Sequence, residues 1–136
     1  MSEQDRESVK QGECSTSDDD SIGRLKPTID FPDFLKVDMR VGRVLAASLN
    51  EKARKPALKM TIDFGPLGEK TSSAQIVKNY RPEDLVGKLI IAVVNFAPKN
   101  VAGVVSEVLV LGVDHPTQGV ILLQPTMDTE PGTPVA

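Results

Sequence analysis

The stretch FPDFLKVDMRVGRVLAASL, residues 31–49, decides the fold, because it leads from an apolar patch into an alternating run that a glycine interrupts. Met39, Val41 and Arg43 share one face at a period of two, which is typical of a half-buried β-strand. Gly42 lies inside this run. A glycine within a strand often marks a bulge or sharp bend, as small barrels require. The stretch therefore predicts the first, bent strand of a small barrel.

Further short strands follow, separated by turns. Four more strands are predicted at ALKMTIDFG, KTSSAQIV, EVLVLGV and GVILLQP. KLIIAVVNF is apolar throughout, which predicts a strand with both faces covered, and RPEDLVG predicts one helical turn. About six short strands without a long amphipathic helix favour an all-β chain. The expected fold is an OB-fold: a five- to six-stranded closed barrel with one short helical turn.

The beginning of the chain differs in composition from the rest. Residues 1–30 hold eight acidic and four basic side chains, whereas residues 31–136 hold eleven acidic and twelve basic ones. Residues 1–28 also contain too few apolar side chains to offset the entropy lost on ordering. We therefore expect a flexible, disordered acidic tail over residues 1–28 and one domain over residues 29–136.

The sequence gives little support for catalysis or for a bound metal. The single histidine, His115, lies in a turn, without a second histidine or a partner cysteine to complete a metal site. Ser72 and Ser73 have no histidine nearby in the sequence, and the GxSxG and Walker A spacings are absent. We expect a protein that is not an enzyme and needs no cofactor. A hydrolase using Ser72 or Ser73 is a distant alternative.

The chain does not resemble a membrane or secreted protein. No apolar stretch approaches ~18–20 residues, and the first residues lack the apolar run of a signal peptide. Cys14 is the only cysteine, so no intrachain disulfide can form. We expect a cytoplasmic location.

Two groups of residues are candidates for ligand binding. The first is the basic loop after the first strand, which either helps to wall the ligand groove of an OB-fold or is simply solvated. The second consists of polar residues near strand ends and around the link PKNVAG, which either cap turns or line one end of a groove. The complete set of candidate peptide- or RNA-binding residues is Arg54, Lys55, Lys59, Met60, Ser72, Ser73, Gln75, Asn95, Phe96, Lys99, Ser106 and Glu107.

Aromatic residues help to choose between the two ligand classes. Binding of single-stranded nucleic acid usually relies on stacking side chains. The body supplies only Phe64, Phe96 and Tyr80 beyond the entry segment, and Phe64 shares the register of the expected core. An apolar groove that includes Met60 and Phe96, rimmed by lysine and serine, would suit a peptide better.

Residues 31–136 resemble the tRNA-binding-domain OB-fold family, and within it the chaperones related to protein export. The resemblance rests on DFLKVDMRVGRV, ARKPALKMTIDFGPLG, KTSSAQIVKNYRPEDLVGK and VVNFAPKNVAGVVSEVLVLG. It implies a homodimeric secretion chaperone that binds unfolded or extended preproteins in a groove, and the sequence shows no nucleotide motif, so ATP is not expected to be used. The partners it implies are unfolded preproteins or peptides, the Sec translocation motor and tRNA. A tRNA-binding module of the same family is the alternative function.

The segments that flank the barrel also favour a dimer. They carry Phe31, Phe34, Leu35 and Val37 before the barrel, and Met127 and Val135 after it. Pairing of two copies across a two-fold axis would bury these side chains. Folding back onto the same barrel is the other arrangement that would bury them.

Overall fold

The computed structural model describes residues 23–52 and 54–136, and these residues belong to two units that divide after Lys36. Most of the predicted acidic tail, residues 1–22, lies outside the described residues. In the first unit, helix α1 (Phe31–Leu35) follows Asp30 and has Pro32 within its first two positions, where a missing N–H costs nothing. The rings of Phe31 and Phe34 lie 6.1 Å apart, centroid to centroid.

The second unit is built from short strands. In chain order these are β1 (Met39–Asn50), β2 (Ala57–Asp63), β3 (Glu69–Ala74), β4 (Leu89–Val93), β5 (Lys99–Val101), β6 (Val104–Ser106), β7 (Leu109–Val110), β8 (Gly112–His115) and β9 (Gly119–Leu122). A 3-10 turn (Gly65–Leu67) joins β2 to β3, and helix α2 (Pro82–Leu85) lies between β3 and β4. The chain is mostly β with few helices, as the sequence predicts. No helix in the described part of the chain is long and apolar enough to cross a membrane.

The strands form one five-stranded antiparallel sheet and two hairpins. The sheet has the order β3-β2-β1-β4-β7, and the hairpins are β5–β6 and β8–β9. The prediction of a closed barrel is wrong, because this sheet is an open, curled half-barrel of the OB type. Strand β6 pairs with β5, so it does not extend the sheet from β3 towards β7.

Side chains take the place of a backbone ladder along this open edge. The Ser72 hydroxyl donates to the carbonyl oxygen of Val108 at 3.1 Å, and the backbone N–H of Thr71 donates to Glu107 Oε1 at 2.9 Å. A backbone bond joins the same segments, from Glu107 N–H to the carbonyl oxygen of Thr71 at 2.7 Å. The Glu107 carboxylate takes the place of a backbone carbonyl and the Ser72 hydroxyl that of a backbone N–H, so the edge is bridged without becoming a regular pair of strands.

Strand β1 is long enough to serve both halves of the sheet because it bends. It pairs with β4 through Met39–Arg43 and with β2 through Arg43–Asn50, with an irregularity in register between Val44 and Ala46. Gly42 permits the close packing of the core, since a Cβ there would lie 2.5 Å from Ile62 Cγ2. The predicted bend is therefore present, two residues beyond the glycine.

The core lies inside the curled sheet. Leu58, Met60 and Ile62 alternate inward from β2, and Ile90 and Ala92 face them from β4, all fully buried. Helix α2 closes one end by burying Leu85. The hydrophobic core therefore uses one face of each strand and leaves the other face available for interactions.

Candidate ligand-binding surface

A row of serine and lysine residues crosses β1, β2 and β3 of the sheet and continues onto the hairpin β5–β6. Lys59 of β2 pairs with Ser48 of β1 on one side and with Ser73 of β3 on the other. Ser106 of β6 pairs with Lys99 of β5, and the Ser106 hydroxyl accepts a 3.4 Å hydrogen bond from the Ser73 backbone N–H. Directly opposed residues of antiparallel strands have their side chains on the same face. We call these five residues the lysine–serine row.

The row ends on the hairpin β5–β6, which is formed by the link PKNVAG and the residues after it. Its two turn residues, Ala102 and Gly103, have φ values of 51° and 88°, as a two-residue type I′ turn requires. The side chain of Asn100 supports the turn by accepting a 3.0 Å hydrogen bond from Gly103 N–H. The link is therefore a hairpin that extends one end of the row.

The loop after β1 lies against this hairpin. Asn50 Nδ2 donates to the carbonyl oxygen of Val101 at 3.5 Å, and a Cβ on Gly103 would lie 3.7 Å from Lys52 Cδ. The two structures that flank the row, the basic loop and the hairpin, are thus in direct contact.

Exposed cations lie in the row and on the loop beside it. They are Lys52, Arg54, Lys55, Lys59 and Lys99. None of them forms an ion pair with another residue of the ranges 23–52 and 54–136, whereas Arg40, Arg43 and Arg81 each do. The charge of these five side chains is therefore free to act on a ligand.

The hydroxyl of Ser73 adds an unsatisfied polar atom to the row. Ser73 Oγ is buried, and it has no hydrogen-bond partner within the described residues. Buried polar atoms are normally paired, so an unpaired one in a native structure calls for an explanation. A ligand or water molecule that reaches the row would satisfy it.

Other residues of the predicted set lie behind this surface. Met60 is fully buried in the core, and Ser72 is buried with its hydroxyl bonded to Val108. Glu107 bridges the open edge of the sheet. These three side chains help to shape the surface from within, and a direct role for them in binding stays a prediction.

The remaining predicted residues are more dispersed. Asn95 Oδ1 accepts a 3.1 Å hydrogen bond from Asp38 N–H, so this side chain fixes the chain next to the start of β1. Phe96 follows with 55% of its surface exposed, and Gln75 is exposed just after β3. The structure therefore brings together Lys59, Ser73, Lys99 and Ser106, with Arg54 and Lys55 on the adjacent loop.

A second surface, which the list of candidate residues omits, covers the opposite part of the sheet. Since Ile90 and Ala92 face the core, Leu89 and Ile91 of β4 point to the other side. These two residues and their partly or largely exposed apolar neighbours form what we call the apolar outer face: Met39, Leu89, Ile91, Leu109, Leu111, Val113, Ile121 and Leu123. Leu109 and Val113 are about half exposed. The runs LIIAVV, VLVLGV and GVILL, apolar at successive positions, are the sequence signal for such a face.

Solved structures of chaperones share this fold. The chaperone CsaA from Bacillus anthracis is 53% identical, with a TM-score of 0.77, and the match covers 80% of this chain and 99% of that one. The CsaA chaperone protein from Picrophilus torridus is 48% identical, with a TM-score of 0.75, and the match covers 80% of this chain and 100% of that one.

Curated relatives that match the same region are methionine–tRNA ligases. The methionine–tRNA ligase of Bacteroides fragilis is 36% identical over 111 residues, which is 82% of this chain and 16% of the ligase. The chain thus spans about one sixth of the length of the curated relatives it matches. The family model described as "Putative tRNA binding domain" matches residues 39–134. Because this match covers more than half of the chain and confirms the resemblance seen in the sequence, the protein belongs to the family of tRNA-binding domains.

Proposed function

We propose that this protein is a CsaA-like chaperone, which holds unfolded or extended polypeptide on the lysine–serine row without using ATP. One observation carries the proposal: exposed apolar side chains stand on the same elements that carry the row. These are Phe96 before the hairpin, and Leu49 on β1 and Val105 on β6, which alternate with Ser48 and Ser106 along their strands; each is more than half exposed. An extended polypeptide offers both the backbone groups that serine and lysine bind and the apolar side chains that such positions accept.

The ligand is bound and released, and no chemical step is involved. His115, the one histidine, accepts hydrogen bonds through Nδ1 from the backbone of Thr117 and Gln118, so it stabilises its own turn. Ser72, a distant candidate for a nucleophile, uses its hydroxyl to bridge the open edge of the sheet. Within this proposal the protein keeps preproteins competent for export, as the family resemblance of its sequence implies, and the Sec translocation motor would receive them.

A second candidate function is tRNA binding. The observation that favours it is the cluster of five exposed cations without ion pairs in the described part of the chain, since cations of this kind neutralise phosphates. The family model and the methionine–tRNA ligases point the same way. Stacking partners are scarce, however, because Phe64 is buried and Tyr80 is half-buried with its hydroxyl engaged by Leu122 N–H.

We further propose that the apolar outer face joins two copies of the chain. A two-fold interface brings the same patch of both subunits together, and eight apolar side chains on and next to five strands supply such a patch. Exposed apolar side chains grouped in this way on a single copy, among them Leu109 and Val113, would be an aggregation hazard. The lysine–serine row belongs to the other half of the sheet, so pairing through the apolar outer face leaves the row open to a ligand.

The proposed function is tested by fluorescence anisotropy with labelled tRNA and a labelled extended peptide, each at ~50 and ~200 mM salt. RNA held through several phosphates should lose orders of magnitude in affinity over that range, whereas peptide bound through mixed contacts should lose little. The double substitution Lys59→Gln and Lys99→Gln should weaken peptide binding. Lys88→Gln, an exposed lysine next to the opposite end of the sheet, is the matched control. Tight, salt-sensitive tRNA binding without any peptide signal would exclude the chaperone function.

A further inference from the structure

We infer that the lysine–serine row is an anion subsite, which selects extended client segments that carry acidic side chains. This inference rests on the proposed polypeptide-binding function and adds the chemistry of the preferred client.

Charges are segregated along the outer face of β1, β2 and β3. At one end Asp63 pairs across the strands with Arg43 and Glu69, so acidic and basic side chains lie together there. At the other end Lys59 has only Ser48 and Ser73 as its cross-strand neighbours. The basic end of the face therefore has no carboxylate in register with its lysine, and an acidic ligand group would supply one.

Neighbouring carboxylates do not remove this imbalance. Glu107 lies next to Ser106, but its Oε1 accepts the Thr71 N–H across the open edge. Glu51 is exposed on the loop and is outnumbered there by Lys52, Arg54 and Lys55. The surroundings of the row are thus positive overall, which favours an anionic partner by charge complementarity.

Hydroxyl groups between the two lysines supply the hydrogen bonds that a carboxylate needs. Ser73 Oγ is buried and unpartnered within the described residues, and an O–H group can donate to a carboxylate oxygen. The Ser106 hydroxyl lies beside it and contacts the carbonyl oxygen of Val108 at 3.4 Å, which is a weak bond. The Ser106 hydroxyl can therefore exchange its weak bond for one to a ligand, and a ligand that reaches the buried Ser73 Oγ would give it a partner.

Two lysines in the row can hold two acidic side chains of one client. Lys59 lies beside Ser73, and Lys99 lies beside Ser106 on the hairpin that contacts Ser73. Side chains of an extended chain alternate between its two faces, so acidic residues at i and i+4 lie on the same face. A client with this pattern presents both carboxylates to the row.

A polypeptide accounts for this surface better than RNA does, because exposed rings are nearly absent. In the unit of residues 37–136, Phe64 is buried, Tyr80 is half-buried and Phe96 alone is exposed. The exposed apolar side chains that alternate with Ser48 and Ser106 along β1 and β6, Leu49 and Val105, are aliphatic. Bases therefore find few rings to stack on near the row.

The test compares three labelled twelve-residue peptides rich in threonine, serine and valine, titrated against the full chain. The first carries glutamate at i and i+4, the second glutamine at the same places, and the third lysine. At ~50 mM salt the glutamate peptide should bind about five- to tenfold more tightly than the glutamine peptide, and the lysine peptide more weakly than both. The preference should shrink at ~200 mM salt, because exposed charges are screened.

Lysine variants then test whether the preference for the glutamate peptide depends on the row. Lys59→Gln combined with Lys99→Gln should abolish the preference for glutamate, while Lys88→Gln should leave it intact; thermal unfolding of each variant verifies that it is folded. Equal affinity for the three peptides, or a preference that survives the double substitution, would overturn the anion subsite while the proposed function stands. Absence of binding to all three peptides, together with salt-sensitive binding of tRNA, would overturn both.

Discussion

Thr71 and Glu107 are joined by two reciprocal hydrogen bonds across the open edge of the half-barrel. Glu107 N–H donates to the Thr71 carbonyl oxygen at 2.7 Å, and Thr71 N–H donates to Glu107 Oε1 at 2.9 Å. The pair holds β3 beside the residues that follow β6, and the Ser73–Ser106 contact lies next to it. One carboxylate therefore stabilises the edge and sets the geometry of the lysine–serine row.

Substitution of Glu107 tests this relationship. Glu107→Ala leaves the Thr71 N–H without its acceptor in a part-buried position, which should lower the free energy of unfolding by about 1–2 kcal/mol. Glu107→Gln keeps an acceptor oxygen and should cost less. Urea denaturation measures both, and equal losses for the two variants would contradict the role of the side-chain oxygen as acceptor.

A substitution in the hairpin turn β5–β6 should raise the stability of the protein. Ala102 is the one residue other than glycine with positive φ in the described part of the chain, at 51°. Left-handed backbone costs an alanine roughly 1 kcal/mol, and the pair Asn-Gly is favoured in type I′ turns. Ala102→Asn should therefore raise the thermal midpoint by a few degrees. Ala102→Val, which places a β-branched side chain in the same conformation, should lower it, and the opposite order would exclude a strained turn.

Strand β2 and the lysine–serine row show what sequence patterns can and cannot predict. Alternation in β2 predicts its buried face correctly, since Leu58, Met60 and Ile62 are all buried. Register between strands distant in sequence is not contained in any local pattern. The sequence therefore identifies Lys59 and Lys99 as candidates, but the structure is needed to align them with Ser73 and Ser106.

Closure of the barrel could not be predicted for a related reason. Whether the last strands pair with β3 depends on competition between a backbone ladder and side-chain oxygens. Glu107 and Ser72 decide that competition through hydrogen bonds to residues about 36 positions away in the sequence. A local strand pattern cannot predict such a long-range hydrogen bond.

The backbone of the C-terminal segment packs closely against the half-barrel at Gly132. Gly132 has a φ of 93°, and a Cβ there would lie 2.5 Å from the carbonyl oxygen of Phe64. Its N–H donates to the Val41 carbonyl oxygen at 2.7 Å. Gly132→Ala combines backbone strain with a clash and should lower the free energy of unfolding by roughly 1–3 kcal/mol. Gly23→Ala, which meets nothing within 4 Å, is the control; similar losses for both would rule out the clash.

Acid should weaken the beginning of helix α2. Asp84 Oδ2 accepts the Arg81 N–H at 3.1 Å, and this bond, followed by contact with the Arg81 guanidinium, lowers the pKa of Asp84. A lowered pKa in the folded state means that the contribution to stability is complete above the unfolded pKa, about 3.9. It is lost as the pH falls through the folded value. The stability difference between the wild type and Asp84→Asn should therefore be constant above about pH 5 and shrink below about pH 4. Denaturation at a series of pH values measures this stability difference. The control is Asp114→Asn, which replaces an exposed carboxylate on β8.

The apolar outer face predicts the assembly state, and two valines provide a matched comparison. Val113 on β8 lies on this face and is 49% exposed, while Val105 on β6 lies on the other hairpin and is 51% exposed. In a two-fold interface Val113→Asp would place an unpaired charge in an apolar contact from both copies. The dimer dissociation constant should then rise on the order of 100-fold or more, whereas Val105→Asp should leave it nearly unchanged. Sedimentation of the wild type and both variants over a range of concentrations measures this constant.

Two outcomes would contradict this interface. If the wild type sediments as a single copy at every concentration, the face does not join two chains. If Val105→Asp dissociates the dimer and Val113→Asp does not, the interface lies on the hairpin β5–β6 and would cover the lysine–serine row.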